Sequence, residues 1–223
     1  MKVVNLNQNK LYERSLGKKP KGNTFTYACV LFFAFLLIFS TFWFFTTFKA
    51  IIVDGSSMRT TLSHGDKLFA RTVKVGEACR GDIIVVDVSG YPECSDVSSG
   101  RIIKRLIAKE GDKVKCRNGV VSVWYADANG WTVLEEDYAY YGKNDAYKDD
   151  YDFEEYQVGA GEIFFLGDNR SSAYSSEDSR YKEDKSHLED KLYKESDIIA
   201  VVEDWSVRNK WIGEILIRDP KKD

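Results

Sequence analysis

The chain has 223 residues and a formal net charge of -3 at pH 7, which allows one domain with attachments or two small domains. The acidic excess argues against a dedicated nucleic-acid-binding protein, because such a protein needs a net basic face. Hydrophobic residues make up 43% of the chain and charged residues 30%, a composition that excludes global disorder. With only two histidines, a histidine-rich zinc site is excluded as well.

The first predicted element is a long uncharged segment near the N-terminus. No charged residue occurs between Lys21 and Lys49, and the segment is long enough to cross about 30 Å of hydrocarbon as a helix. We predict one transmembrane helix over residues 25–48. The alternative is a cleaved signal peptide, whose apolar region is roughly 7–15 residues and ends in a small-residue cleavage site. This segment is longer, and residues 48–52 are a poor cleavage site.

The charges before this segment predict its orientation. The flank contains one acidic residue, Glu13, and six basic residues, which are Lys2, Lys10, Arg14, Lys18, Lys19 and Lys21. Because short basic flanks stay in the cytoplasm, residues 1–24 are predicted to be a cytoplasmic tail. Residues 49–223 are then predicted to lie on the other side of the membrane.

Beyond the span, short apolar segments alternate with turns rich in Gly, Asp and Asn, which is typical of a mainly β fold. The predicted strands cover residues 49–53, 66–75, 82–88, 101–108, 112–116, 120–125, 162–166 and 197–202. Asn118-Gly119 is a strong hairpin signal between the fifth and sixth of them. Residues 127–157 are rich in Tyr and Asp, and we predict a small inserted lobe that is solvated rather than a partner or cation site. The polar residues 171–195 are predicted to be a loop with a short helix near 186–194.

Two residues in this pattern could carry chemistry. On a strand, Ile102, Lys104 and Leu106 share one face. A lysine between two aliphatic residues either keeps an exposed strand edge soluble or is a desolvated amine, which loses its proton more readily and can act as a general base. Ser57 lies in a Gly-Ser-Ser turn after a strand, and a serine needs such a base to become a nucleophile. The residues alone leave both alternatives open.

Four motifs, in this order behind one apolar span, resemble those of type I signal peptidases, the bacterial leader peptidases. These are membrane-anchored serine proteases with a Ser-Lys dyad, and they remove signal peptides from exported proteins. The matching segments are residues 57–62 (SMRTTL, against Ser-Met-x-Pro-Thr-Leu), 80–85 (RGDIIV), 104–105 with 111–112 (KR and GD), and 167–170 with 178–180 (GDNR and DSR). The resemblance extends from the span to about Trp205. It implies an antiparallel β-sheet catalytic domain.

The resemblance also implies roles for the two candidate residues. Ser57 corresponds to the nucleophile and Lys104 to the general base, and the backbone N–H of Ser57 corresponds to one oxyanion donor. Met58 is expected to contact the substrate. Some members have a second donor, a serine hydroxyl two residues before the nucleophile, and here that position is Gly55.

Further residues are implied to support the dyad. Ser176 corresponds to the serine that orients the lysine, with Ser172 and Ser175 as alternatives, because seven residues separate the two parts of the last motif where the family usually has four. An ionic frame that holds the lysine strand is implied for Asp168, Arg170, Asp178 and Arg180. Thr60 replaces the usual proline of the first motif, and Lys109-Glu110 replaces the usual Leu-Pro.

The implied function is removal of signal peptides from exported preproteins, with small side chains at P1 and P3. No cofactor, metal ion or nucleic-acid partner is expected, and the predicted state is a monomer anchored in the lipid bilayer. One alternative is a non-catalytic relative that assists the assembly of surface proteins or pili. A self-cleaving repressor would share the dyad but lacks a membrane span, and a Ser-His-Asp triad with His64 or His187 has no motif context.

The cysteines leave the disulfide state open. Cys29 lies in the predicted span, whereas Cys79, Cys94 and Cys116 lie outside it, where disulfides can form. We prefer Cys79–Cys94 as a pair, and an odd number leaves at least one thiol unpaired.

Overall fold

The computed structural model describes residues 23–91, 99–128, 130–146, 148–149, 151–171, 187–188 and 191–218. The chain divides into two units, residues 1–46 and 47–223. Helix α1 (Thr24–Thr47) has 24 residues and no buried side chain, so it is about 36 Å long. It is long and apolar enough to cross a membrane, and it begins one residue before the predicted position.

In the described part of the second unit, twelve strands form two antiparallel sheets. In chain order they are β1 (Phe48–Ile52), β2 (Lys67–Thr72), β3 (Ile83–Asp87), β4 (Arg101–Lys109), β5 (Lys113–Arg117), β6 (Val120–Tyr125), β7 (Gly130–Val133), β8 (Phe153–Gln157), β9 (Glu162–Leu166), β10 (His187–Leu188), β11 (Lys191–Lys194) and β12 (Ile198–Val202). The first sheet has the order β1-β2-β12-β3-β4-β9-β11-β10, and the second has the order β7-β6-β5-β8. The predicted mainly β fold is confirmed.

The core has three parts because the first sheet is apolar on both faces. One face of β3, β4 and β9 buries Ile84, Leu106 and Phe165 in a common cluster. The other face of β3 packs Val85 against residues that follow β1. The second sheet packs against Phe164 of β9. Strand β9 therefore joins the two sheets, and the segment after it lies where they meet.

The hairpin prediction is confirmed. Asn118 and Gly119 connect β5 and β6, and both have positive φ angles, 49° and 69°, as the turn of a two-residue hairpin requires. The predicted lobe of residues 127–157 differs in extent, because the second sheet begins at Lys113 and includes this hairpin.

The helix predicted near residues 186–194 is wrong. The structure has strands β10 and β11 there, and β11 pairs with β9 through Tyr193 and Ile163. The Tyr193 ring packs on the Phe165 ring with 4.9 Å between centroids. This tertiary contact outweighs the local preference for a helix.

Two short helices that the sequence analysis did not predict end the described chain. Helices α2 (Asp204–Arg208) and α3 (Lys210–Leu216) cover β2. The Ser206 hydroxyl accepts a hydrogen bond from the Phe69 N–H at 2.8 Å. Gly213 approaches the Lys67 carbonyl so closely that a Cβ atom would clash with it.

Candidate active site

The turn that carries Ser57 follows β1, and we call residues 56–62 the Ser57 turn. The Arg59 N–H bonds to the Ser56 carbonyl, and the Leu62 N–H to the Met58 carbonyl. The side chains of Met58 and Leu62 are buried in the core, whereas Ser57 is half-buried. Apolar anchors therefore fix the turn and leave Ser57 partly accessible to solvent. The substrate contact expected of Met58 stays a prediction.

Lys104 lies in the middle of the first sheet. Strand β4 is flanked by β3 and β9, so the alternative in which Lys104 protects an exposed strand edge is wrong. The residue is 3% exposed, it pairs across the sheet with Ile84, and it alternates with the buried residues Ile102 and Leu106. The Lys104 side chain thus lies on the buried face of β4 that also carries Ile102 and Leu106.

The residue after Lys104 points to the other face of β4 and forms a bidentate ion pair. Arg105 donates from Nε to Oδ1 of Asp168 at 2.9 Å and from Nη2 to Oδ2 at 2.6 Å. Asp168 is fully buried. Burial alone would lower the pKa of Arg105, but the hydrogen bonds and charge of Asp168 outweigh this effect and raise the pKa above its usual value.

The same aspartate and its neighbour hold the Ser57 turn. The Asn169 N–H donates to the Ser57 carbonyl at 2.9 Å, and its side-chain amide donates to the Ser56 carbonyl at 3.1 Å. The Thr61 hydroxyl donates to Asp168 at 2.5 Å. Because Asp168 also binds Arg105, the Ser57 turn and the strand of Lys104 share one scaffold, which is the segment of residues 167–171 after β9.

Of the four residues of the implied ionic frame, the structure describes Asp168 and Arg170. Arg170 is buried and pairs with Glu136 at 2.8 Å, while Asp168 pairs with Arg105. Ser172, Ser175, Ser176, Asp178 and Arg180 lie outside the described residues. Their roles stay predictions.

Two partners of the frame were missed by the sequence analysis. Arg105 lay inside the quoted Lys-Arg motif, so its position was a usable signal. Glu136 lies in the Tyr/Asp-rich segment, where nothing distinguishes it from the other acids. Burial alone would lower the pKa of Arg170, but the neighbouring Tyr151 and the Glu136 carboxylate, which accepts its hydrogen bond, raise it.

The exposure of His64 and its acidic neighbour argues against a Ser-His-Asp triad. His64 Nδ1 lies 3.2 Å from Asp54, and these side chains are 71% and 62% exposed. The aspartate of a Ser-His-Asp triad is buried, so this pair lacks the environment of a triad. The side chain of His187 is not described.

Neither metal ligands nor a disulfide occur among the side chains with described positions. Within those ranges, no group of three or more His, Cys, Asp or Glu residues could hold a metal ion. Cys29, Cys79 and Cys116 carry free thiols. The free thiol of Cys79, whose sulfur lies 3.8 Å from the Glu77 carbonyl, contradicts the preferred pair Cys79–Cys94. Cys94 itself is outside the described residues.

The sequence matches the family model described as "Signal peptidase, peptidase S26" over residues 25–203. The chain therefore belongs to the peptidase S26 family of signal peptidases. The resemblance found in the motifs is confirmed by this match.

Two relatives found by sequence agree with the family. The chain is 31% identical to signal peptidase I of Bacillus licheniformis over 170 residues, which is 74% of this chain and 82% of the relative. It is 33% identical to signal peptidase I of Bacillus amyloliquefaciens over 135 residues, covering 58% of this chain but only 63% of that relative's length. A crystal structure of a signal peptidase I from Enterococcus faecalis V583 aligns with 58% of this chain and 100% of its own, at 27% identity and a TM-score of 0.39.

Proposed function

We propose that this protein is a membrane-anchored serine endopeptidase that removes N-terminal signal peptides from exported preproteins. Ser57 is the nucleophile and Lys104 the general base. The observation that carries the proposal is the shared scaffold: Asp168 and Asn169 bind the Ser57 turn, and Asp168 also binds the residue next to Lys104. Family membership supports the reaction, since the relatives named above are signal peptidases.

The burial of Lys104 and the partial exposure of Ser57 suit this chemistry. An uncharged Lys104 amine accepts the proton of the Ser57 hydroxyl while its oxygen attacks the P1 carbonyl carbon, and the Ser57 N–H stabilises the oxyanion. The peptide C–N bond then breaks, and Lys104 returns the proton to the leaving amine. Water, deprotonated by the same amine, releases the acyl group and restores Ser57. Ser176 orients Lys104, and the Met58 side chain, which is buried in the core, anchors the Ser57 turn beside the substrate site.

The position of α1 supports an anchored enzyme. The helix is long and apolar enough to span a membrane, and the basic flank favours a cytoplasmic N-terminus. The catalytic unit then lies outside the cytoplasm as a monomer at the bilayer. There it meets preproteins whose cleavage sites carry small side chains at P1 and P3.

Membrane vesicles of known sidedness test the reaction and the orientation together. Full-length protein in right-side-out vesicles should cleave a preprotein with alanine at P1 and P3 that is added outside, whereas inverted vesicles should cleave it only after detergent opens them. The Ser57→Ala variant should show no cleavage in either preparation. Cleavage by Ser57→Ala at the wild-type rate would refute the mechanism. An inactive wild type in detergent would favour the non-catalytic alternative.

A further inference from the structure

We infer that residues 136–141, here called the strap, hold the Ser57 turn in its reactive position, and that Tyr138 and Glu136 are positioning residues. The strap belongs to the Tyr/Asp-rich segment for which the sequence analysis predicted only a solvated surface. The kinetic consequences rest on the proposed function. The structural consequence, a rigid Ser57 turn, does not depend on it.

The strap pairs through its backbone with the segment that binds Ser57. The Tyr140 N–H donates to the Asp168 carbonyl at 2.7 Å, and the Arg170 N–H donates to the Tyr140 carbonyl at 2.6 Å. Tyr140 and Asn169 thus form an isolated parallel bridge. Since Asn169 also donates to the Ser57 carbonyl, the residue that holds Ser57 is itself held by the strap.

Tyr138 supports the ion pair below the turn. Its ring lies under the Arg105 guanidinium, 3.9 Å from carbon Cζ to the ring centroid, which is a favourable cation–π geometry. The Tyr138 hydroxyl donates to Glu136 Oε1 at 2.9 Å. Burial and the charge of Glu136 both raise the pKa of Tyr138, so the hydroxyl stays protonated and continues to donate.

Glu136 fastens the strap to the interior. Its carboxylate accepts a hydrogen bond from Arg170 Nη2 at 2.8 Å, and these side chains are 6% and 0% exposed. Breaking a buried ion pair is strongly unfavourable, because it leaves an uncompensated charge. The strap is therefore fixed at Glu136, at Tyr138 and at Tyr140.

The strap also contacts the Ser57 turn directly. The Thr60 hydroxyl lies 3.4 Å from the Tyr138 carbonyl in hydrogen-bonding geometry, and the Arg59 guanidinium lies 5.4 Å from the Tyr140 ring centroid. Loss of the Tyr138 ring leaves the carbonyl at Thr60 in place, so it should loosen the turn through Arg105 and Asp168.

The molecule offers a matched control with the same chemistry elsewhere. Arg80 forms a bidentate pair with the buried Asp112, at 2.6 and 2.8 Å, and its guanidinium lies 5.1 Å from the Tyr125 ring centroid. Asp112 binds the N–H groups of Lys109 and Ala126, near the β4–β5 connection. Tyr125→Ala therefore removes an arginine-stacked tyrosine without touching a described contact of the Ser57 turn.

Hydrogen exchange tests the structural part without relying on activity. In a Ser57→Ala background, Tyr138→Ala should speed exchange of the Arg59, Leu62 and Asn169 amides about tenfold or more, because these hydrogen bonds open more often. Tyr138→Phe keeps the ring and should stay within about threefold, as should Tyr125→Ala. Unchanged exchange of all three amides in Tyr138→Ala would overturn the inference, even if the protein proves inactive on preproteins.

Steady-state kinetics of variants that retain Ser57 test the positioning role of Tyr138. Tyr138→Ala should lower kcat by about 10- to 100-fold, the effect expected of a misplaced nucleophile, while KM changes less than about threefold. Tyr138→Phe should restore most of kcat, and Tyr125→Ala should keep it within about threefold. A kcat for Tyr138→Ala equal to that of Tyr125→Ala would contradict the inference, because it would show only a general structural role.

Discussion

At the residue scale, burial gives chemically identical side chains different properties. Cys116 and Cys79 are both thiols outside α1, but Cys116 is fully buried and Cys79 is exposed. The Cys116 sulfur donates to the Tyr151 carbonyl at 3.1 Å, and burial raises the pKa of this thiol to about 12. Since the thiolate is the reactive form, the two residues should differ greatly in reactivity.

Iodoacetamide labelling of the folded protein, read residue by residue from peptide masses, checks this difference. At pH 8 Cys79 should be alkylated at least about 100-fold faster than Cys116, because Cys116 is both inaccessible and protonated. Equal rates would show that the core around Cys116 opens or that its burial is wrong. Denatured protein, in which both thiols should react alike, is the control.

The raised pKa of Cys116 also makes the stability of the protein depend on pH. A pKa raised in the folded state means that the folded protein binds more protons than the unfolded chain above pH 9, the ordinary pKa of the thiol. The contribution of Cys116 to the free energy of unfolding is therefore fully present below about pH 9. It is lost as the pH rises from there towards 12.

At the scale of elements, the β5–β6 hairpin depends on a glycine in two ways. Gly119 and Gly161 have the same φ of +69°, which disfavours any other residue. A Cβ atom at Gly119 would lie 2.6 Å from the Lys148 carbonyl oxygen, whereas at Gly161 it would meet nothing within 4 Å. Alanine substitutions at the two positions therefore distinguish the cost of backbone strain, which both share, from the cost of a steric clash, which only Gly119 has.

Urea unfolding of the two alanine variants measures this separation. Gly161→Ala should lower the free energy of unfolding by about 1 kcal/mol, the cost of a left-handed backbone for a non-glycine residue. Gly119→Ala should lose at least about twice as much, because the Lys148 backbone must also move. Equal losses in the free energy of unfolding would mean that the Lys148 backbone moves aside without a measurable cost.

Elements with a local signal could be predicted from the sequence. The Asn118-Gly119 turn and the apolar run of β9 were both read correctly, because each depends on residues within a few positions of one another. Strand β11 and the strap were not, since they are fixed by distant partners: Tyr193 pairs with Ile163, and Glu136 binds Arg170. No pattern in a single sequence marks such contacts.

At the scale of the whole molecule, the sheet order brings distant motifs together. The first motif follows β1 at one edge of the sheet, Lys104 lies in the central strand β4, and Asp168 follows β9. They are far apart in the chain, yet the Ser57 turn and β4 are held by the same aspartate. The motif order therefore identified the family, while the scaffold between the motifs required the structure.

The central claim is that Lys104 is the base that activates Ser57, and a pair of buried lysines tests it most directly. Lys67 in β2 is also buried, and its amine lies 3.6 Å from Glu214, so Lys67→Met is the matched control for Lys104→Met. The measurement is kcat for preprotein cleavage by the full-length protein. Lys104→Met should lower it by about 100-fold or more, the contribution of a general base, and Lys67→Met should stay within about threefold of wild type. Near-normal cleavage by Lys104→Met would contradict the account.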